Sequence, residues 1–299
     1  MKIEKNNKLS DAFGGALKQE KNADFTIVGI PFDEKTTYRR GTSGGPDAIR
    51  EASTVQSINS FTASGVDLKD DLSIYDAGNL MKKSNTEEYF SKISGFIAET
   101  ASRGSVPVTL GGDHSITFPV VRGMLETYGS LHIVWLDSHP DIYEDYEGDR
   151  LSHACPLARI LELDGVNRVV QGGIRASTRE LNRRLQEAGV KVFSVSDLAT
   201  MKHLEMLGKT YLSIDIDVLD PAFAPGVGTP VPGGISTREL LDLILSFNLD
   251  IVGFDLVETN PDYDHASITA AAGAKVVMET IGRIADLRKS NFTYSSEDY

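Results

Sequence analysis

Short apolar, β-branched runs alternate with segments of helical periodicity along most of the chain. Several runs, such as LHIVWL at Leu131–Leu136, are continuously apolar. Such runs are typical of strands buried on both faces of a parallel sheet. Eight strands are predicted, at Phe25–Pro31, Leu72–Ala77, Val106–Leu110, Leu131–Asp137, Arg168–Ile174, Val190–Val195, Tyr211–Asp217 and Ile251–Val257.

The segments between the strands carry signals for helix starts. Pro46 after Gly45 suits the first turn of a helix. Ser177 with Glu180 three residues later, and Ser236 with Glu239, match the capping-box pattern. The helices predicted from these signals and from periodicity begin at Gly45 and Ser236 and cover Asn85–Arg103, Ser115–Tyr128, Ser177–Ala188 and His265–Leu287.

This alternation predicts an α/β fold, a three-layer α/β/α sandwich with an eight-stranded, mostly parallel sheet. No stretch rich in proline, glycine or serine divides the chain, so a single domain over residues 1–299 is expected. Residues 1–22 and 288–299 are predicted to be polar end segments. Ligands of such sheets bind beyond the carboxyl ends of the strands.

Composition and charge narrow the classes of function. Asp and Glu total 43 against 30 Lys and Arg, a formal charge of −13, which argues against a nucleic-acid partner and is compatible with a cationic substrate. No apolar run approaches the ~18 residues of a membrane span, so no membrane partner is expected. The single cysteine, Cys155, fits a reducing compartment, and a cytoplasmic location is predicted.

Three segments place acids and histidines directly after predicted strands. Carboxyl ends of parallel strands meet at one edge, so these side chains should converge there. On extended backbone, spacings of i, i+2 and i+4 point to one side. The residues are His114 in Gly111–Ser115 (GGDHS), then Asp137, His139 and Asp141, then Asp215 and Asp217.

Four clustered carboxylates cannot all remain ionised without compensating charge, and divalent metal ions supply it. Taken singly, GGDH is also compatible with a turn in which Asp113 caps a helix, and the D-x-D of Asp215 and Asp217 with an ordinary loop. Together, the three segments favour a metal centre. Six oxygen-rich ligands suit two bridged ions better than one zinc, and they favour Mn²⁺, with Fe²⁺, Co²⁺, Ni²⁺ or Zn²⁺ chemically possible.

Two further residues are candidates for handling the substrate. His153 follows the second segment and could relay protons because an imidazole titrates near neutrality; a capping or core histidine is an equal alternative. Glu258 ends the last predicted strand and could hold a planar cation through a bidentate contact. The alternative for Glu258 is a capping or solvated acid.

These segments together resemble the ureohydrolase family of arginases, agmatinases and formiminoglutamases. The likeness runs from about Ile27 to the last helix, and SIDIDVLDPAFAPGVGTPVPGG at 213–234 is its most specific part. The resemblance implies hydrolysis of a guanidino group by two Mn²⁺ ions per subunit, in a trimer or hexamer. It implies His114, Asp137, Asp141 and Asp215 as ligands of one ion, and Asp137, His139, Asp215 and Asp217 as ligands of the other.

The resemblance also assigns catalytic roles. Asp137 and Asp215 would bridge the ions, and Asp141 would orient the attacking hydroxide. His153 falls on the family's proton-shuttle histidine, and Glu258 falls on its guanidinium-contacting glutamate.

Within the family, the agmatinase branch is the most similar. The segments Gly29–Asp33 and Arg40–Arg50 resemble agmatinases, and Tyr143 stands where arginases carry an asparagine that helps bind the amino-acid end of arginine. The expected reaction is hydrolysis of agmatine, a small cationic guanidino compound, to putrescine and urea. Ser138, Pro140 and Ala154 depart from the family's usual residues beside the site without removing a ligand.

Other functions remain open on the sequence alone. Guanidinobutyrate, a related guanidino acid or arginine could replace agmatine, and formiminoglutamate fits less well. A metal-binding homologue without turnover is a different class, which a missing ligand would favour. A nucleotide-binding enzyme lacks support because no strand leads into a glycine-rich phosphate loop.

Overall fold

The computed structural model describes residues 12–16, 23–54 and 59–294. Eight strands form one sheet with the spatial order β2-β1-β3-β8-β7-β4-β5-β6, and every neighbouring pair is parallel. The predicted α/β class and parallel sheet are confirmed. The strands are β1 (Phe25–Ile30), β2 (Ile74–Asn79), β3 (Val106–Gly111), β4 (Leu131–Leu136), β5 (Val166–Ile174), β6 (Lys191–Ser194), β7 (Lys209–Asp215) and β8 (Asp250–Val257).

Helices cover both faces of this sheet. The helices are α1 (Gly45–Ser53), α2 (Thr86–Ser102), α3 (Thr117–Tyr128), α4 (Pro156–Leu161), α5 (Arg179–Glu187), α6 (Thr237–Ser246) and α7 (Ile268–Tyr294). The buried side chains of α1, α6 and α7 pack in one apolar cluster, and those of α2 to α5 pack in the other. Successive residues of β4 pack into different clusters, Val134 into the first and Trp135 into the second. Because both faces of β4 are buried, its sequence is continuously apolar.

The main error in the predicted strands lies at β7. This strand ends at Asp215, and Asp217 belongs to a 3-10 turn over Ile216–Val218. A carboxylate oxygen of Asp215 accepts a hydrogen bond from the backbone N–H of Asp217 at 2.8 Å, which caps the turn. The prediction that the strand continues to Asp217 is therefore wrong.

Helix starts follow capping chemistry, with one prediction confirmed and one wrong. Ser236 and Glu239 form the reciprocal hydrogen bonds of a capping box at the start of α6, as predicted. Ser177 does not cap α5. Thr178 occupies that position, and its hydroxyl accepts from the backbone N–H of Leu181 at 3.2 Å.

The last helix differs from its prediction at both ends. His265 begins a separate 3-10 turn over His265–Ser267. Within this turn Ala266 has a φ of +53°, which is not helical, so α7 begins only at Ile268. At its far end, α7 continues past Leu287 to Tyr294, where no glycine or proline interrupts it.

Of the predicted polar end segments, residues 1–11, 17–22 and 295–299 lie outside the described residues. No helix in the described part of the chain is long and apolar enough to cross a membrane.

The strand order determines where the site can form. Strands β3, β8, β7 and β4 are neighbours in the middle of the sheet. His114, Glu258, Asp217 and Asp137 each follow one of these four strands within a few residues. Parallel pairing therefore brings all four chain segments to one edge of the sheet.

A buried ion pair joins α1 to β2, the first strand in the spatial order of the sheet. The Arg50 guanidinium donates to both carboxylate oxygens of Asp76, at 2.8 and 2.9 Å, and also to Asn79 at 2.6 Å. Both charged side chains are almost fully buried, 2% and 3% exposed. Removing one partner of such a pair leaves the other charge uncompensated in the interior.

We therefore expect Arg50→Met to lower the free energy of unfolding by about 3–5 kcal/mol, as is typical when a buried ion pair loses one partner. Chemical denaturation of the wild type and the variant measures this loss. Arg183→Met is the matched control, because its pair with Glu187 is exposed on both sides and should contribute below about 1 kcal/mol. Equal losses in the two variants would contradict the structural role of Arg50.

Candidate metal centre

His114 enters the site from the turn that follows β3. Asp113 caps this turn, since its carboxylate accepts from the backbone N–H of Ser115 at 3.1 Å. The preceding glycine is required sterically, because a Cβ on Gly112 would lie 1.9 Å from the carbonyl oxygen of Phe32. The capping alternative for GGDH is thus correct for Asp113, while His114 lies among the acids.

The loop after β4 carries three of the predicted ligands. Asp141 adopts a left-handed backbone with φ of +48°, so the expected extended geometry over residues 137–141 is wrong there. The carbonyl of Asp141 accepts from the N–H of Leu157 at 3.0 Å, and the Gln171 side-chain amide donates to the carbonyl of Pro140 at 2.9 Å. These hydrogen bonds hold the backbone in a conformation that non-glycine residues seldom adopt.

Two groups of side chains could each hold a metal ion, and they share Asp137. The buried group consists of His114, Asp137 and Asp141, and the outer group consists of Asp137, His139 and Asp217. In each group the ligand atoms lie within 4.8 Å of one another. Asp215 joins the buried group, with a carboxylate oxygen 3.1 Å from His114 Nδ1. All six predicted ligands therefore converge.

The tautomer of His114 is set by a chain of buried hydrogen bonds behind it. The Ser213 hydroxyl donates to Asp255 at 2.8 Å and so accepts from His114 Nε2 at 2.9 Å. A neutral ring with its proton on Nε2 has only a lone pair on Nδ1. Carboxylates that orient metal-binding histidines through the other ring nitrogen are a recurrent feature of metal sites.

The lone pair on His114 Nδ1 faces the lone pairs of three carboxylate oxygens. His114 Nδ1 is buried, forms no hydrogen bond, and lies 3.1–3.2 Å from carboxylate oxygens of Asp137, Asp141 and Asp215. Such an arrangement is repulsive unless a proton or a cation lies between the atoms. The residues therefore fit a metal ion at this place.

The pKa shifts of the clustered side chains also indicate a site for a positive charge. Burial disfavours a charged His114, but the surrounding carboxylates outweigh burial and raise its pKa well above the ordinary value. Burial also raises the pKa of Asp215 well above its usual range, with the charges of Asp217 and Asp137 adding to the effect. Burial and the charge of Asp137 raise the pKa of Asp141 to about 6. The cluster thus takes up protons where a metal ion would supply charge.

His153 and Glu258 lie side by side next to the buried group. His153 Nδ1 is 3.2 Å from Glu258 Oε1, and that same oxygen accepts from the backbone N–H of His114 at 2.9 Å. On its other side, His153 Nε2 lies 3.0 Å from the hydroxyl of Thr37, an exposed residue. The imidazole therefore lies between an acid of the site and the solvent.

A cleft of about 350 Å³ opens over these residues. Its walls include His139, Asp141, His153, Asp215, Asp217 and Glu258. Tyr143 and Tyr146 form another part of the wall, with their rings edge to face at 5.1 Å. The structure thus places Tyr143 on the wall of the cleft, two residues after Asp141.

Sequence reasoning missed the support behind the ligands. Ser213 lies two residues before Asp215, on the same side of β7. Asp255 is an acid in the part of β8 that is buried from Ile251 onwards. A buried acid within an apolar run is the signal that could have identified Asp255, because such a group needs partners. Tyr211 and Thr117 also donate to it, at 2.7 and 2.8 Å.

Comparisons with known proteins identify the family of this chain. Residues 23–282 match the model of the arginase family. The chain belongs to the arginase family. The resemblance to the ureohydrolases, and the hydrolase class that it implies, are thereby confirmed.

Individual arginase-family relatives carry two different names. The agmatinase of Bacillus anthracis is 34% identical over 286 residues, covering 92% of this chain and 98% of the relative. The mitochondrial arginase 1 of Arabidopsis thaliana is 36% identical over 279 residues, covering 88% and 82%. The solved agmatine ureohydrolase of Thermoplasma volcanium superposes with a TM-score of 0.84 at 31% identity, covering 96% of this chain and 97% of that one.

The contact between His153 and Glu258 predicts a pH dependence of stability in the metal-free protein. Burial opposes charging of His153, but Glu258 outweighs it and raises the pKa of the imidazole to about 9. A pKa that is higher in the folded than in the unfolded state contributes stability that is complete below about pH 6.5 and is lost as the pH rises through about 9.

We expect the difference in free energy of unfolding between wild type and His153→Gln to fall by on the order of 2 kcal/mol from about pH 6 to about pH 10. Denaturant titrations of the metal-free proteins at both pH values measure it. His203→Gln, at an exposed histidine, is the control and should show a constant difference. A pH-independent effect of His153→Gln would contradict the stabilising role of the contact between His153 and Glu258.

Proposed function

We propose that this chain is a binuclear, manganese-dependent ureohydrolase that converts agmatine to putrescine and urea. The observation that carries the proposal is the unpartnered, buried His114 Nδ1 among three carboxylates. Two imidazoles with four carboxylates form an oxygen-rich donor set that suits Mn²⁺. Asp137 belongs to both groups and would be held by both ions. Asp215, which lies beside His114 and accepts from the Asp217 N–H, would be the second shared ligand.

Two divalent ions, when bound, lower the pKa of a shared water and stabilise developing negative charge. The residues of the chain have complementary tasks. Asp141 lines the cleft beside the buried group, where its carboxylate can accept a hydrogen bond from the attacking water or hydroxide and orient it.

Glu258 is the proposed anchor of the guanidinium group. Its backbone is left-handed, with φ of +63°, and its N–H donates to the carbonyl of Gly112 at 2.9 Å. The hydrogen bond from the His114 N–H orients the carboxylate, which lines the cleft. A carboxylate held in this way can receive two parallel N–H donors of a planar guanidinium.

His153 is the proposed proton relay. Its ring contacts Glu258 through Nδ1 and the Thr37 hydroxyl through Nε2, so it reaches both the site and an exposed residue. The ring can therefore pass a proton between the leaving amine and solvent.

The rest of the cleft favours an amine-ended substrate over an amino acid or a guanidino acid. Among the described residues that line the cleft, none is lysine or arginine. A substrate carboxylate at this end would find no fixed cation, whereas a buried charge requires a partner. Tyr143 is the proposed contact for the aliphatic part of agmatine, with its ring exposed to the cleft.

Assembly and location are also part of the proposal. A trimer or hexamer is the assembly that the family resemblance implies, and sedimentation of the purified chain tests it. The single cysteine supports a cytoplasmic location.

The two groups predict how metal stoichiometry responds to mutation. The wild type should bind two equivalents of Mn²⁺, and Asp217→Asn should bind one and lose most activity, because Asp217 belongs to the outer group only. Elemental analysis after dialysis against Mn²⁺ measures the stoichiometry. Asp250→Asn, at an exposed acid of β8, is the control and should keep both ions. Full activity of Asp217→Asn with two ions bound would refute the ligand assignment.

The composition of the cleft predicts substrate preference. Urea release in the presence of Mn²⁺ should be fastest with agmatine and much slower with arginine and with guanidinobutyrate, since both of these carry a carboxylate. Side-by-side assays at equal concentrations measure this order. A preference for either acid would contradict the assignment of agmatine, and no urea from any of the three would indicate a homologue without this activity.

A further inference from the structure

Arg175 lies directly behind the outer group, one residue after the end of β5. It is half-buried, and its side chain contacts carbonyl oxygens rather than an acid. The guanidinium donates to the carbonyls of Gly173, Asp217, Val218, Leu219 and Val231, at distances from 2.7 to 3.4 Å.

Three of these acceptors lie in the turn that carries a proposed metal ligand. The carbonyl of Asp217 itself accepts from Arg175 Nη2 at 2.7 Å. Those of Val218 and Leu219 accept at 3.1 Å each. A planar guanidinium with five donors can satisfy several carbonyls at once, which a lysine ammonium on a single nitrogen cannot do with the same geometry.

The backbone at Arg175 contacts the segment that carries Asp137 and His139 of the outer group. The N–H groups of Arg175 and Ala176 both donate to the carbonyl of Ser138 at 3.0 Å. Ser138 lies between Asp137 and His139, and its own N–H donates to the Asp217 carboxylate at 3.0 Å. Arg175 therefore contacts the His139 segment through its backbone and the Asp217 turn through its side chain.

The same side chain reaches the glycine- and proline-rich loop at 220–234. The carbonyl of Val231 accepts from Arg175 Nη2 at 2.7 Å and from Nε at 3.1 Å. Gly234 leaves the space for this, since a Cβ there would lie 2.7 Å from Nη2. Thr229 of this loop lines the cleft, so the loop forms part of the substrate wall.

We propose that Arg175 is a positioning residue that holds His139 and Asp217 at the separation required by the outer metal ion and fixes the 220–234 loop to the same unit. The metal part of this inference rests on the proposed function. Two ligands of the buried group, His114 and Asp141, lie outside these contacts, because other hydrogen bonds hold them, to Ser213 and from Leu157. Asp137 is common to both groups.

Backbone amide exchange tests the contacts without any metal. In the metal-free protein, Arg175→Met and Arg175→Lys should both speed exchange at residues 216–219 and 228–234. Asp220→Asn is the matched control, because the Asp220 carboxylate accepts from Gly233 and Gly234 in the loop. This control should speed exchange in the loop while leaving residues 216–219 unchanged.

Metal titration tests the consequence for the site. Arg175→Lys and Arg175→Met should weaken the affinity for one of the two Mn²⁺ ions by about 10–100-fold, the usual effect of losing the support behind a ligand. The affinity for the other ion should fall much less. Isothermal titration with Mn²⁺ alone measures both affinities. Asp220→Asn should bind both ions as the wild type does while raising the KM for the guanidino substrate.

The two measurements separate the possible failures. Unchanged exchange at residues 216–219 in both Arg175 variants would overturn the inference, and so would equal weakening of both ions. Wild-type behaviour of Arg175→Lys would show that charge alone matters and would also overturn it. If the wild type binds no Mn²⁺, the proposed function fails, while the exchange result still decides whether Arg175 holds the two segments together.

Discussion

The structure depends most on one unfavourable arrangement, a ring nitrogen lone pair facing three carboxylates in the protein interior. His114 Nδ1 lies 3.1–3.2 Å from Asp137, Asp141 and Asp215, and Ser213 with Asp255 behind it keeps the ring's own proton on Nε2. In water these groups would separate or become protonated. The folded chain holds them together, so a cation is the component that makes the cluster stable.

Holding such a cluster together requires a scaffold that resists repulsion. Four neighbouring parallel strands deliver the ligand segments to one edge, and the backbone beyond them departs from regular structure. Asp141 and Glu258 are both left-handed, at φ of +48° and +63°. Non-glycine residues in this region cost on the order of 1–3 kcal/mol each and persist only where surrounding contacts enforce them. Hydrogen bonds from Leu157 and to Gly112 are those contacts here.

The sequence predicts the sheet and the convergence of the six acids and histidines, because both depend on local pattern. Continuous apolar runs identify buried parallel strands, and acids directly after them can lie only at the carboxyl edge. The details that it misses depend on partners distant in sequence. Asp141 turns left-handed because of hydrogen bonds with Leu157 and Gln171. The role of Arg175 depends on acceptors at Asp217, Val218 and Leu219, more than 40 residues along the chain. No spacing rule within one segment contains that information.

The cleft has two chemically different parts, one lined by acids and the other by aromatic rings. In the proposed function, the guanidinium lies beside Glu258 and the neighbouring acids, whose charge favours a cation. Away from these acids, the cleft is lined by the rings of Tyr143 and Tyr146, and none of the described lining residues is lysine or arginine. Overall sequence identity does not separate the two kinds of relative, because an agmatinase is 34% and an arginase 36% identical to the chain. We therefore expect selectivity to reside in a few lining side chains, among which Tyr143 and Tyr146 carry the aromatic rings.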